Sequence, residues 1–111
     1  MDCIFCKIAA GEIPCDKVME TDSLIAFRDI SPQAPTHVLV IPKKHVPGVH
    51  DATEDDDLGE LLLAAKEVAR IEGVDRTGYR LVINSGQQGG QTVDHLHLHV
   101  LGGRQMTWPP G

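Results

Sequence analysis

Aromatic residues are scarce in this chain: two Phe, one Trp and one Tyr make up 4% of its 111 residues. A core built from it must rest on Leu, Ile, Val and Ala. Cysteine is scarce too, and its three copies are an odd number, which excludes a fully paired disulfide framework and fits a reducing compartment. Positive charge is in deficit, with 10 Lys and Arg against 16 Asp and Glu and a formal net charge of -6. A nucleic-acid polymer calls for a basic stripe that exchanges for counterions, and the sequence has none. An anionic small molecule stays compatible, because backbone N–H groups and a few local cations can hold a phosphate. No stretch approaches the ~20 apolar residues that span a bilayer. The opening "MDCIFCKIAA" also lacks the basic lead and long apolar run of a secretory signal. The expectation is a soluble, cytoplasmic protein with no nucleic-acid or membrane partner.

What the chain does have is an apolar fraction of 41% and the length of one domain, read here as 1–111 with no repeat or linker. Ile4, Phe5, Ile8 and Ala9 follow helical spacing, and Gly11 is a natural stop. "KVMET" and "LIAFRD" read as short strands around a turn at Asp22-Ser23, "SPQAP" as a loop, and "THVLVIP" as a β-branched strand. A long helix is expected near 54–72, with Thr53 and Asp56 resembling a capping box. Its apolar stripe is Leu58, Leu61, Leu62, Ala65, Val68 and Ala69, and Gly73 is its C-terminal stop. "GYRLVINSG" and "HLHLHVL" read as two more strands. The sum is an α+β fold: about five antiparallel strands, one long helix covering one face, and a short N-terminal helix.

Half of the six histidines fall in "QTVDHLHLHV". On a strand, side chains alternate between faces, so His95, His97 and His99 share one side while Leu96, Leu98 and Val100 share the other. A merely solvated face needs no imidazoles, so two chemical readings stand. In one, two histidines converge on zinc with a third ligand and a water. In the other, His97 is a neutral nucleophile whose Nδ1–H is tied to a carbonyl, with neighbours that steady charge on the electrophile. His99, and His37 from another strand, could supply that support. The preceding "NSGQQGGQT" carries three glycines, through which main-chain N–H groups can approach phosphate oxygens. This loop favours a phosphorus electrophile over a zinc-bound water.

"HLHLHVL" resembles the His-φ-His-φ-His-φ-φ signature of the histidine triad (HIT) superfamily. The likeness extends to "DISPQAPTHVLVIPKKH", "NSGQQGGQTVDHLHLHVLGG" and the terminal "WPPG", and these blocks look like its Hint branch, the histidine triad nucleotide-binding proteins. The resemblance implies a homodimer that hydrolyses purine nucleoside 5′-phosphoramidates to AMP or GMP. His97 would attack the α-phosphorus, His99 would contact a phosphate oxygen, His37 would support the site, and Thr92 would bond near the leaving group. Asp29 would bind the ribose hydroxyls, and Phe5, Ile8, Phe27, Ile30 and Leu39 would sandwich the base. Asn84, Gly90 and Gln91 stand where the family contacts phosphate. The nucleotidyltransferase branch typically has glutamine where His99 stands, so histidine here favours transfer to water. Thr92 departs from the usual serine but keeps the hydroxyl. The related alternatives are a dinucleoside polyphosphate hydrolase of the Fhit-like branch, against which "WPPG" speaks, and a nucleotide-binding regulator with slow residual hydrolysis.

"CIFC" gives Cys3 and Cys6 the spacing of half a zinc site. No second C-x-x-C exists, so histidines must complete it, with His45 and His95 the candidates; some HIT proteins with this pair bind zinc in a similar arrangement. Such a zinc would be structural, and catalysis would need no cofactor. The alternative is that both thiols are small buried apolar groups. Cys15 has no assigned role. In the Hint branch the C-terminal tail lies near the partner's active site, so Trp108 is expected to be partly buried at the dimer interface.

Overall fold

Side chains at alternate positions of "THVLVIP" and "LIAFR" are apolar on both faces, which requires cover on both sides of whatever sheet they join. The computed structural model, which describes residues 3–111, shows that arrangement. Its elements are α1 (Ile4–Ala9), β1 (Lys17–Glu20), β2 (Leu24–Arg28), β3 (Thr36–Pro42), α2 (Leu58–Ile71), β4 (Tyr79–Val82) and β5 (Leu98–Gly102), with one 3-10 turn at Val49–Asp51. The five strands form one antiparallel sheet in the order β1-β2-β3-β5-β4.

One face packs under α2. Leu61, Ala65, Val68 and Ala69 bury against Val38, Val40, Leu98 and Val100, and Leu96 joins the same cluster. The other face carries Ile25, Phe27, Leu39 and Ile41, which pack with Cys3, Phe5 and Ile8. The expected cover on one face is therefore corrected to two unequal covers: a long helix on one side and a six-residue helix on the other. The short helix leaves part of its face open, and the site lies there.

Both helices end as their glycines predict. Gly11 and Gly73 have φ of +78° and +75°, and each closes a doubly bonded Schellman turn. In α1, the Gly11 and Glu12 amides donate to the Ile8 and Lys7 carbonyls; in α2, the Gly73 and Val74 amides donate to those of Arg70 and Ala69. The start of α2 differs from the expected 54. Asp56 Oδ2 does accept from the Thr53 amide, but that contact closes a separate turn. The cap is Asp57, whose Oδ1 accepts from the Glu60 amide at 2.9 Å. Aspartate at either place satisfies open amides, so the run of four acidic residues left the register of the helix start open. The strands are also shorter than expected: β4 ends at Val82, and β5 begins at Leu98, after His95 and His97.

Candidate active site

The alternation of "HLHLHV" continues past the end of the ladder, which keeps the histidines on one side. Leu96, Leu98 and Val100 enter the core under α2, and His95, His97 and His99 face the other way. The His97 and His99 rings are 5.0 Å apart. Phe5 from α1 stands edge-on to both His95 and His97, at 5.9 and 5.2 Å. This one ring separates two polar centres.

The first centre borders a cavity of about 610 Å³. Phe5, Ile8, Phe27 and Leu39 give it an apolar wall, and Asp29, Thr92, His97 and His99 bring polar groups to it. His97 is 4% exposed, and its Nδ1–H donates to the His95 carbonyl at 2.7 Å. A neutral imidazole carries one N–H, so Nε2 holds the lone pair. His37 and His99 come together across β3 and β5: His37 pairs with Leu101 and Leu39 with His99, so the two imidazoles are diagonal neighbours. His37 Nε2 and His99 Nδ1 are 2.9 Å apart. Asp29 closes the group, with Oδ1 accepting from the Ser31 amide and Oδ2 standing 3.4 Å from His37 Nε2. Burial pushes His99 down to about 4, helped by the nearby His97 and His37. Burial also lowers His37, against the pull of Asp29. Both rings are thus neutral at neutral pH.

Other expected residues fall differently. Ile30 is 98% exposed and stands at the rim of the cavity, so it is not a core residue. Asn84, Gly90 and Gln91 are not among the residues that wall the cavity. The Gln91 side chain is occupied in shaping the loop: Oε1 accepts from the Gly86 amide, and Nε2 donates to the Pro47 and Val93 carbonyls. Trp108 is 81% exposed in the single chain, which leaves it open to a partner. The cavity also takes Ile13, Pro14, Cys15 and Val93, which no motif marked. They arrive through the turn after α1 and the bend before His95, where the sequence has no period to read. Burial raises the Cys15 thiol, which keeps it in the unreactive form.

The second centre gathers Cys3, Cys6, His45 and His95, whose donor atoms all lie within 4.8 Å of one another. The thiols come from the cap and first turn of α1, where Cys3 Sγ also accepts from the Cys6 amide. The Leu96 amide donates to the Val46 carbonyl at 2.6 Å, which ties the two loops and sets His45 beside His95. Cys3 Sγ is 3.3 Å from His95 Nδ1, Cys6 Sγ is 3.2 Å from His45 Nδ1, and the two Nδ1 atoms are 3.2 Å apart. Tetrahedral zinc with ordinary bond lengths has S–N edges of about 3.5 Å and N–N edges of about 3.3 Å. His95 Nε2–H donates to the Pro42 carbonyl at 2.8 Å, which leaves the Nδ1 lone pair for a metal. The four residues fit zinc in number, chemistry and spacing.

Among the described residues, donor atoms converge in two groups, this one and Asp29-His37-His99. The reading in which two histidines of the triplet converge on one zinc is thereby set aside: His95 belongs to one group, His99 to the other, and His97 to neither.

His97, with its Nδ1–H bonded to a carbonyl, and the buried His99 stand beside a largely apolar cavity on an α+β fold. The HIT domain family matches residues 10–106, and the chain belongs to that family. It is 57% identical to a HIT family hydrolase from Legionella pneumophila, with a TM-score of 0.96 over 99% of this chain and 100% of that one. It is 54% identical to the 14 kDa zinc-binding protein of Brassica juncea, covering 99% of this chain and 100% of the relative. A histidine triad nucleotide-binding protein from Candida albicans is 38% identical, with a TM-score of 0.84 over 97% of this chain and 83% of that one. The fold is the HIT fold, and the protein is hydrolase-like. No helix among the described residues is long and apolar enough to cross a membrane.

Proposed function

We propose that this protein hydrolyses purine nucleoside 5′-phosphoramidates through a nucleotide covalently held on His97. The observation that carries the reading is the bond from His97 Nδ1–H to the His95 carbonyl, which leaves Nε2 as a lone pair on a ring that walls the cavity. Nε2 attacks the α-phosphorus, a P–N bond to histidine forms, and the bond to the amine breaks. The amine leaves with a proton drawn from solvent near Thr92, which is exposed at the cavity wall. Water then attacks the same phosphorus from the side the amine vacated and releases AMP or GMP and neutral His97. The base enters between Phe5, Ile8, Phe27 and Leu39, with Ile30 at the rim, and Asp29 accepts from the ribose hydroxyls. The name of the Candida albicans relative supports a nucleotide as the ligand.

Zinc at Cys3, Cys6, His45 and His95 is part of the same proposal, supported by the donor geometry and by the name of the Brassica juncea relative. The ion would tie the N-terminal segment to the sheet and so hold Phe5 in place. Every step above uses side chains of the other centre.

Replacing His97 with Ala should reduce turnover of an adenosine phosphoramidate at least about a thousandfold, as loss of a nucleophile does. AMP binding, measured by calorimetry, should survive. Full turnover by His97→Ala would overturn the reading.

A further inference from the structure

We propose that the backbone N–H of Gln33 is a positioning group: it sets the tautomers of His37 and His99 so that His99 presents an N–H, and not a lone pair, to the cavity. This rests on the proposed function only for what the N–H then does.

One hydrogen bond sets the polarity. The Gln33 amide donates to His37 Nδ1 at 3.0 Å. A nitrogen that accepts holds no proton, so neutral His37 carries its N–H on Nε2. That N–H faces His99 Nδ1 at 2.9 Å and Asp29 Oδ2 at 3.4 Å, and the nearer acceptor takes it. His99 Nδ1 therefore accepts, and the proton of His99 sits on Nε2. His99 Nε2 is the one buried side-chain polar atom among the described residues without a partner, on a residue that walls the cavity. An N–H left unpaired in a buried place is costly unless a ligand completes it. A non-bridging phosphate oxygen does so, and takes the strongest bond when negative charge builds on it.

The polarity of the chain thus runs from the Gln33 amide to His37, to His99, and to the ligand. Its source is held firmly. Pro32 and Pro35 flank Gln33 and stiffen the loop. The Asp29 amide donates to the His37 carbonyl at 3.0 Å, closing the loop's ends. Arg104 Nε donates to the Gln33 carbonyl at 3.3 Å, and Gln33 Nε2 donates to the Ser31 carbonyl at 3.0 Å.

The same amide decides a second matter. Asp29, His37 and His99 place their donor atoms close enough to hold a cation. A cation on His37 Nε2 would move that ring's proton to Nδ1, where it would meet the Gln33 N–H head-on. The amide therefore disfavours a metal where the substrate oxygen must bind, although the residue types alone would suit one.

The deciding measurement needs no substrate. In the metal-loaded chain with 15N-labelled histidine, long-range 1H–15N spectra should show His37 and His99 as Nε2–H tautomers and His97 as Nδ1–H. His99 found as the Nδ1–H form would overturn the proposal, even if phosphoramidase activity is present. Conversely, this tautomer pattern with no phosphoramidase activity would leave the inference standing and remove the reading of function. A chain with a backbone ester at residue 33 deletes the donor and keeps every side chain. It should show mixed tautomers at His37 and a kcat lower by roughly tenfold at little-changed KM. Unaltered tautomers in a folded ester chain would also overturn the proposal, and if that chain does not fold, the spectrum of the intact protein still decides.

Discussion

His97 and His99 are two residues apart and made of the same atoms, yet their surroundings give them opposite tasks. One spends its N–H on a backbone carbonyl and keeps a lone pair; the other spends its lone pair on a neighbouring ring and keeps an N–H. The pH behaviour of the fold follows from the burial of the second. An unfolded histidine titrates near ~6.5. His99 titrates at about 4 in the folded chain, and His37 is lowered as well. Between those pH values the unfolded chain binds more protons, so the stability these neutral rings contribute is fully present above ~6.5 and is lost as pH falls towards 4. Thermal melts should therefore show Tm dropping as pH goes from 7 to 4.5. His99→Gln, which cannot protonate, should flatten that limb, and an unchanged slope would contradict the assignment.

At the scale of elements, α1 does more than its six residues suggest. With its cap it supplies both thiols, the wedge of Phe5, and Ile8 for the apolar wall. Replacing Cys3 and Cys6 with Ser should reduce bound zinc, measured by elemental analysis, from about one equivalent per chain to none. Without that tie the melting temperature should fall by at least about 5 °C. Zinc content equal to the parent would contradict the ligand set. This element also shows what the sequence makes legible. The C-x-x-C spacing, the glycine stops and the i, i+2 histidines are local patterns, and each reads directly into geometry. The Gln33 amide was not legible, because a backbone N–H has no letter in the sequence. Nor was the exposure of Ile30: hydrophobicity predicts burial, but this side chain sits at the rim of an open cavity. The late start of α2 and the short β5 have the same root, since neither an acidic run nor an alternating one marks where hydrogen bonding begins.

At the scale of the whole molecule, one chain leaves apolar surface unspent. Ile30, Leu63 and Trp108 are 98%, 67% and 81% exposed, and β4 is an edge strand with Leu81 partly open. Unpaired edges and exposed apolar side chains favour association with another copy. We propose a homodimer in which Trp108 comes to lie at the interface. Sedimentation velocity should give twice the 12.1 kDa chain mass at micromolar concentration. Tryptophan emission should shift to the red on dilution into monomer, and a monomer at all concentrations would exclude the arrangement.

In the proposed reaction His97 becomes covalently attached to the nucleotide. Rapid mixing with an adenosine phosphoramidate, acid quenching under mild conditions and peptide mass spectrometry test it most directly. An AMP adduct is expected on the peptide that contains His97, located on that residue by fragmentation and missing from His97→Ala. Rapid turnover with no adduct at His97, or with the adduct on another residue, would contradict it.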